Sequence, residues 1–191
     1  MRKCLLAVVL VLGLSNSIGS RGDEVSDSVH VVRYLLEWAH NKQFLAQLLV
    51  DATKEEPELR ELVMDAFDEG YRYDEFALRF SSILEEHLSP AETQQCMIFI
   101  ESEHGRAMME SSRAASSPDD VLQRMALMPA ADRKAAEGFL GEACFKKTIA
   151  AMASSEGQQV SNKYGIDLMC RHVARADPSK YAAVRTRCLT Q

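Results

Sequence analysis

The sequence contains few of the features that would assign it to a specialised class of protein. Aromatic residues make up 7% of its 191 residues, there are five prolines, and acidic residues outnumber basic ones by 28 to 22. This acidic balance argues against a protein that binds nucleic acid through a basic face. C-x-x-C, H-E-x-x-H, G-x-S-x-G and glycine-rich phosphate-binding patterns are all missing, so none of the corresponding sites is predicted. The hydrophobic content of 47% is nevertheless that of an ordinary globular protein.

Residues 1–20 have the three-part pattern of a secretory signal peptide. Two basic residues come first, residues 4–14 are uninterruptedly apolar, and small polar residues then precede cleavage sites after Ser17 or Gly19. The apolar run is about half as long as a helix that crosses a bilayer. We therefore expect a periplasmic or secreted protein that does not insert into the membrane after signal removal.

Four cysteines remain in the predicted mature chain, namely Cys96, Cys144, Cys170 and Cys188. An even number of cysteines in an exported chain predicts up to two disulfides, with three connectivities open. The separations of Cys170 from Cys188 and of Cys144 from Cys170 both suit neighbouring helices, so the sequence does not choose between pairings. Buried free thiols are the alternative, because unpaired cysteine is a common core residue.

Apolar residues recur with helical spacing along most of the chain, and strand-like alternation is almost absent. The clearest set is spaced i, i+3, i+4, i+7, i+8 and consists of Leu59, Leu62, Val63, Ala66 and Phe67. Ser89 and Pro90 with Glu92 predict a capped helix start. We therefore predict an all-α fold, a multi-helix bundle of short amphipathic helices.

Small polar residues at 111–117 resemble a linker and divide the helical pattern. They predict an N-terminal helical half at residues 21–115 and a C-terminal helical half at residues 116–191. The halves share one similarity, since Pro90, Phe99 and Arg106 align with Pro129, Phe139 and Lys146 if one residue is inserted. An internal repeat and a chance similarity between amphipathic helices both account for this alignment.

The segment from Leu88 to Met109 resembles the central motif of a family of exported bacterial proteins, the domain of unknown function 2059 family. The matching residues are Ser89, Glu92, Phe99, Ser102, Gly105 and Arg106. The sequence departs from the motif at Ile100, Glu103 and His104, where tyrosine, proline and a small residue are usual. The resemblance covers about residues 70–128 and implies an all-helical exported bacterial protein. It carries over no established activity and no catalytic residues.

In physical terms, the same segment predicts a bend between two helices. The first helix would end at residues 101–103, and the conformational freedom of Gly105 would allow the chain to fold back. Phe99, Ile100, Met108 and Met109 would then pack together on the inside of the bend.

Five methionines lie between residues 97 and 128, namely Met97, Met108, Met109, Met125 and Met128. Methionine side chains are adaptable, so they fill cores and also line binding surfaces of broad specificity. The cluster therefore predicts either core packing or a binding groove formed by Phe99, Met108 and Met109.

These observations lead to two expectations for function. The first is an exported soluble helical protein that acts as a non-catalytic protein-interaction module of the bacterial envelope. The alternative is a carrier of a small apolar ligand in a methionine-rich helical groove. No catalytic residue, metal ligand or cofactor is predicted, and the expected partner is an unknown envelope protein or the small apolar ligand, with no nucleic acid.

Overall fold

A computed structural model describes residues 26–176 and 181–188, and the predicted signal peptide at residues 1–20 lies outside them. The predicted all-α fold is confirmed, because the described residues form helices and no strand. Their eleven helices are α1 Asp27–Trp38, α2 Asn41–Ala52, α3 Pro57–Gly70, α4 Tyr73–His87, α5 Pro90–Glu101, α6 Glu103–Arg113, α7 Pro118–Ala126, α8 Ala130–Gly141, α9 Ala143–Ala153, α10 Ser155–Arg175 and α11 Ala182–Cys188. Within the described part of the chain, no helix has the length and apolar character needed to cross a bilayer.

Serine side chains cap the starts of four helices. The predicted capping box is present at α5, where the Ser89 hydroxyl accepts a hydrogen bond from the Glu92 amide and the Glu92 carboxylate accepts one from the Ser89 amide. The hydroxyls of Ser102, Ser117 and Ser154 likewise accept a hydrogen bond from an amide in the first turn of α6, α7 and α10, without the reciprocal bond of the capping box. Because the first amides of a helix have no partner within it, these caps mark where each helix begins.

The main core lies where α1, α3, α4 and α10 pack together. Its largest fully buried side chains include Phe67, Phe76, Phe80 and Tyr164, and the rings of Phe76 and Tyr164 stack with centroids 5.0 Å apart. Tyr164 belongs to the predicted C-terminal half and the three phenylalanines to the N-terminal half, so side chains from both sides of residue 115 share this core. The boundary between the two halves stays a prediction.

Helix α6 continues into the stretch at 111–117 that the sequence predicts to be a linker. Ser112 is fully buried, and its hydroxyl donates a hydrogen bond to the carbonyl oxygen of Trp38 at 2.6 Å. This contact with α1 stabilises the last turn of α6, where composition alone favours a loop. The linker prediction is therefore wrong for residues 111–113.

Three pairs of consecutive helices are separated by a single extended residue, namely Ser102 between α5 and α6, Glu142 between α8 and α9, and Ser154 between α9 and α10. At each junction this residue has φ between −69° and −65° and ψ between 152° and 165°. Its amide donates to the carbonyl three residues earlier, and its own carbonyl accepts from the amide four residues later. The chain thus turns sharply without a loop.

Gly105 serves this geometry in a different way from the one predicted. No described glycine has a positive φ, so the bend does not use the conformational freedom of Gly105. A Cβ atom at Gly105 would instead lie 2.2 Å from the carbonyl oxygen of Phe99 and 2.8 Å from that of Ile100. Gly157 is equally confined at the Ser154 junction, with two carbonyl oxygens at 2.5 Å. Glycine is required because the first turn of one helix presses on the last turn of the preceding one.

The residues aligned as an internal repeat occupy corresponding positions in the structure. Phe99 and Phe139 each lie three residues before a junction, and Arg106 and Lys146 each lie four residues after it. The two phenylalanine rings stack on one another, with centroids 4.1 Å apart and planes 8° apart. Helix α6 packs on α8 and α5 packs on α9, so the helix pair α5–α6 packs against the helix pair α8–α9.

Two disulfides are present, as predicted, and the structure selects one of the three connectivities. Cys96 in α5 is bonded to Cys144 in α9, with Cα atoms 5.9 Å apart. Cys170 in α10 is bonded to Cys188 in α11, with Cα atoms 5.4 Å apart. Disulfides of this kind are typical of chains that fold in an oxidising compartment.

The contact between Glu92 and Lys147 predicts a dependence of stability on acid pH. The ammonium group of Lys147 lies 2.6 Å from the Glu92 carboxylate, and this contact, with the amide of Ser89, lowers the pKa of Glu92 to about 2. A carboxylate with a lowered pKa stabilises the fold above its unfolded pKa, and that contribution is lost as pH falls through the folded pKa. We expect Glu92→Gln to lower the urea midpoint at pH 7, and the difference from wild type to shrink between about pH 4.5 and pH 2.

The matched control is Glu86→Gln on α4, because Glu86 is exposed and makes no ion pair within the described residues. We expect this variant to follow the wild-type midpoint at every pH. A Glu92→Gln deficit that persisted unchanged to pH 2 would contradict the assignment.

Candidate functional site

A cleft of about 830 Å³ opens between α1, α5 and α6, and we call it the α1–α6 cleft. Its floor is largely apolar and consists of Tyr34, Met97, Ile100 and Met109. Its walls are charged, with Asp27, His30, Arg33 and Glu37 on α1, Glu101 at the end of α5, and Arg106, Glu110 and Arg113 on α6. Sites of this volume accommodate small ligands or a few side chains of a peptide.

Hydrogen bonds at the bottom of the α1–α6 cleft hold its two long walls together. The hydroxyl of Tyr34 donates to the carbonyl oxygen of Gly105 at 2.7 Å, and burial raises the pKa of this hydroxyl. Further along, Ser112 bonds the carbonyl of Trp38, and its own carbonyl lies 2.8 Å from Nε2 of His40. Because these groups are buried or half-buried, their contacts define the distance between the walls.

Some of the wall charges are paired with one another. Nε of Arg33 lies 2.7 Å from the Glu37 carboxylate, and Nη1 of Arg33 lies 2.7 Å from that of Asp74 on α4. The guanidinium of Arg113 reaches the other oxygen of Glu37 at 3.4 Å. The pKa of Arg33 is raised by its hydrogen bond to Glu37. This end of the cleft therefore carries little uncompensated charge.

The other end of the α1–α6 cleft carries free charges of both signs. His30 and Arg106 are exposed and contact no carboxylate of the described residues, and the carboxylates of the exposed Glu101 and Glu110 contact no cation there. Nη1 of Arg106 donates to the backbone carbonyl of Glu101 at 2.6 Å, which orients the guanidinium without neutralising it. These four groups are available to a ligand that carries complementary charges.

The structure separates the three residues predicted to form a binding groove. Met109 lies on the floor of the α1–α6 cleft. Met108, the next residue of α6, is completely buried in the main core. Phe99 is half-buried and stacks on Phe139 of α8. The predicted groove as a unit stays a prediction, and the cleft shares only Met109 with it.

The turn between α5 and α6, at residues 101–104, does not bring together a set of metal ligands. Nδ1 of His104 lies 2.7 Å from the Asp132 carboxylate, so this histidine links α6 to α8. Among the described residues, no cluster of three or more histidine, cysteine, aspartate or glutamate side chains is placed to hold a metal ion.

Sequence reasoning missed the walls of the cleft, although a signal for them is present. Asp27, His30, Tyr34 and Glu37 follow one another at intervals of three or four residues, and so do Arg106, Glu110 and Arg113. Such spacing places each set along one side of its helix. A polar stripe of this kind usually faces solvent, so the pattern does not by itself show that two stripes face one another.

The fold and the cleft define an all-helical, disulfide-linked protein with an open, charged cleft between two helices. Comparison with protein-family models, with curated proteins and with solved structures finds no match to this chain. The resemblance to the domain of unknown function 2059 family therefore remains a proposal.

Proposed function

We propose that this protein is an exported, non-catalytic interaction module of the bacterial envelope that binds a polypeptide segment of a partner in the α1–α6 cleft. The proposal includes removal of residues 1–20 as a signal peptide and membership of the domain of unknown function 2059 family. The signal-like pattern at residues 1–20 and the two disulfides support the part that concerns export.

The observation that carries the proposal is the combination of an apolar floor with free charges of both signs. Met97, Ile100 and Met109 offer an apolar surface, and the free charges of Arg106, Glu101 and Glu110 line the same cleft together with the imidazole ring of His30. A polypeptide segment can place an apolar side chain on the floor of the cleft and charged groups of both signs beside the free charges of its walls. Methionine side chains adapt their shape, which favours a site that accepts side chains of differing form.

A carrier of a small apolar ligand is the second candidate, and the two methionines on the cleft floor favour it. Such a ligand would leave the free charges of Arg106, Glu101 and Glu110 without partners. Native mass spectrometry of the protein exported by a bacterial host separates the two candidates. A bound small molecule that dissociates on denaturation would support the carrier. A native mass equal to that of the mature chain alone would favour the polypeptide partner.

Photo-crosslinking in the cell tests the polypeptide partner directly. A photo-reactive amino acid at position 30, in the wall of the α1–α6 cleft, should form a covalent adduct with one envelope polypeptide. The adduct should disappear in the double variant Arg106→Glu with Glu110→Lys. This variant keeps the net charge of the protein but swaps the positions of the positive and the negative charge on the α6 wall of the cleft. Sequencing of the exported chain should place its first residue after Ser17 or Gly19.

The control variant carries Arg133→Glu with Glu137→Lys on α8. Arg133 and Glu137 are four residues apart, as Arg106 and Glu110 are, but they do not line the cleft. We expect this variant to form the adduct as wild type does. Loss of the adduct in both exchange variants, or an equal yield of the adduct from position 86 on α4, would contradict binding in the cleft.

A further inference from the structure

The two disulfides differ sharply in their access to solvent. Cys96 and Cys144 lie within the main core, with exposed fractions of 0% and 1%. Cys170 and Cys188 are half-buried and line a surface cavity of about 560 Å³ that also contains Lys163. Thiol–disulfide exchange requires a thiolate to reach one of the two sulfur atoms. Access therefore favours exchange at Cys170–Cys188 and opposes it at Cys96–Cys144.

The Cys170–Cys188 bond holds a short element in place. Helix α11 has seven residues, which is too few for a helix that is stable on its own. Val184 of α11 packs against a small cluster that consists of Leu62 of α3, Val173 of α10 and Tyr181, the residue directly before α11. This cluster is separate from the main core, so α11 and Tyr181 cover one apolar spot on the surface of the α3–α10 pair.

Helix α11 also contacts the end of α10 through a polar group. Nη2 of Arg185 donates to the carbonyl oxygen of Ala176 at 3.0 Å, at the end of α10. Tyr181 adopts a φ of 58°, a left-handed conformation that a bulky residue rarely adopts. The Cys170–Cys188 bond therefore acts against both the local strain at Tyr181 and the tendency of a two-turn helix to fray.

We propose that Cys170–Cys188 is a site of thiol–disulfide exchange for a protein dithiol, and that its reduction releases α11 and uncovers Leu62 and Val173. A thiolate of the dithiol attacks one sulfur of the pair, which forms a mixed disulfide and leaves the other sulfur as a thiolate. The second thiolate of the dithiol then attacks the mixed disulfide. Overall this protein gains two electrons and two protons, and the dithiol becomes a disulfide.

The charges around the cavity support this chemistry. Lys163 is exposed and contacts no carboxylate of the described residues, whereas Asp167 is paired with Arg79 of α4. An ammonium group beside a sulfur atom stabilises the thiolate that leaves during exchange. The surface beside the accessible pair is therefore suited to an approaching thiolate.

The first experiment uses the oxidised mature protein and reduced thioredoxin as the protein dithiol. Native alkylation at successive times, followed by peptide mapping, should label Cys170 and Cys188 at least about tenfold sooner than Cys96 and Cys144, because reduction depends on access. Helical circular dichroism should be retained when the first pair is labelled. Equal rates for the two pairs, or earlier reduction of Cys96–Cys144, would overturn the proposal.

A second experiment tests the release of α11. Hydrogen exchange at the amides of Leu62 and Val173 should speed up in the selectively reduced protein and in the C170S/C188S variant, while amides near Met108 stay protected. Lys163→Gln should slow the exchange with thioredoxin without changing the unfolding midpoint. If protection at Leu62 and Val173 is unchanged in the reduced wild-type protein, the bond does not control this surface and the release is refuted. Neither outcome depends on the proposed function of the α1–α6 cleft.

Discussion

Gly105→Ala is expected to lower the free energy of unfolding by about 3 kcal/mol or more, a large effect for the addition of one methyl group. The added Cβ atom would lie 2.2 Å from the carbonyl oxygen of Phe99, well inside van der Waals contact. That oxygen belongs to the backbone of α5, so it cannot rotate away as a side chain would. Relief requires α5 and α6 to separate, which disturbs the stack of Phe99 on Phe139 and the hydrogen bond from Tyr34 to Gly105.

The chain contains its own control for this substitution. Gly138 lies in α8, is exposed, and has no atom near the place of an added Cβ. Gly138→Ala should therefore raise the free energy of unfolding by about 0.5–1 kcal/mol, because alanine is the better helix former. Gly157→Ala, at the second Ser-x-x-Gly junction, should behave as Gly105→Ala does. Urea denaturation of the three variants provides the measurement, and a Gly105→Ala variant as stable as Gly138→Ala would refute the close-contact explanation.

Met108→Ala is expected to cost about 2–5 kcal/mol of unfolding free energy, the range for truncating a fully buried large side chain. Met108 has an exposed fraction of 0% and belongs to the main core, so its loss leaves a cavity. Binding in the α1–α6 cleft should persist in whatever fraction of the variant remains folded, because Met108 does not line the cleft.

The control is Met64→Ala on α3, where the side chain is 40% exposed. Surface truncations of this kind change stability by about 0.5 kcal/mol or less. Chemical denaturation monitored by circular dichroism compares the two. A Met108→Ala variant that unfolds at the wild-type midpoint would mean that this methionine is available to a ligand, as the predicted groove requires.

The methionine cluster shows what a composition pattern leaves open. Met108 and Met109 are neighbours and both belong to the main core, yet only Met109 also lines the cleft, because adjacent residues of a helix point about 100° apart. The periodicity of α6 does not show which of its faces is fully buried and which lines the cleft. That depends on how α1 packs against α6. This packing depends on Tyr34 and Ser112, whose partners lie 71 and 74 residues away in sequence.

The aligned repeat shows which structural features local sequence patterns can predict. The spacing of Phe99 to Arg106 and of Phe139 to Lys146 predicts two similar helix pairs, and the structure places these residues at corresponding points of two one-residue junctions. At Gly105, by contrast, the sequence predicts a bend but not the reason that glycine is needed there. The reason is the close approach of two helix backbones, which only the folded structure shows. The glycine at 157 was missed because its surroundings do not repeat the aromatic residue of the first motif.

The all-helical fold and the capped helix starts could be derived from the amino-acid sequence, because helical periodicity and capping serines act through residues close together in the chain. The even number of cysteines led to the expectation of up to two disulfides. The pairing Cys96–Cys144 and Cys170–Cys188, the burial of Met108 and the position of α1 opposite α6 across a cleft became known only from the folded structure. Each of these depends on which helices pack together. Helix packing arises from the combined burial of many weakly specific apolar faces, and no single segment of the sequence encodes it.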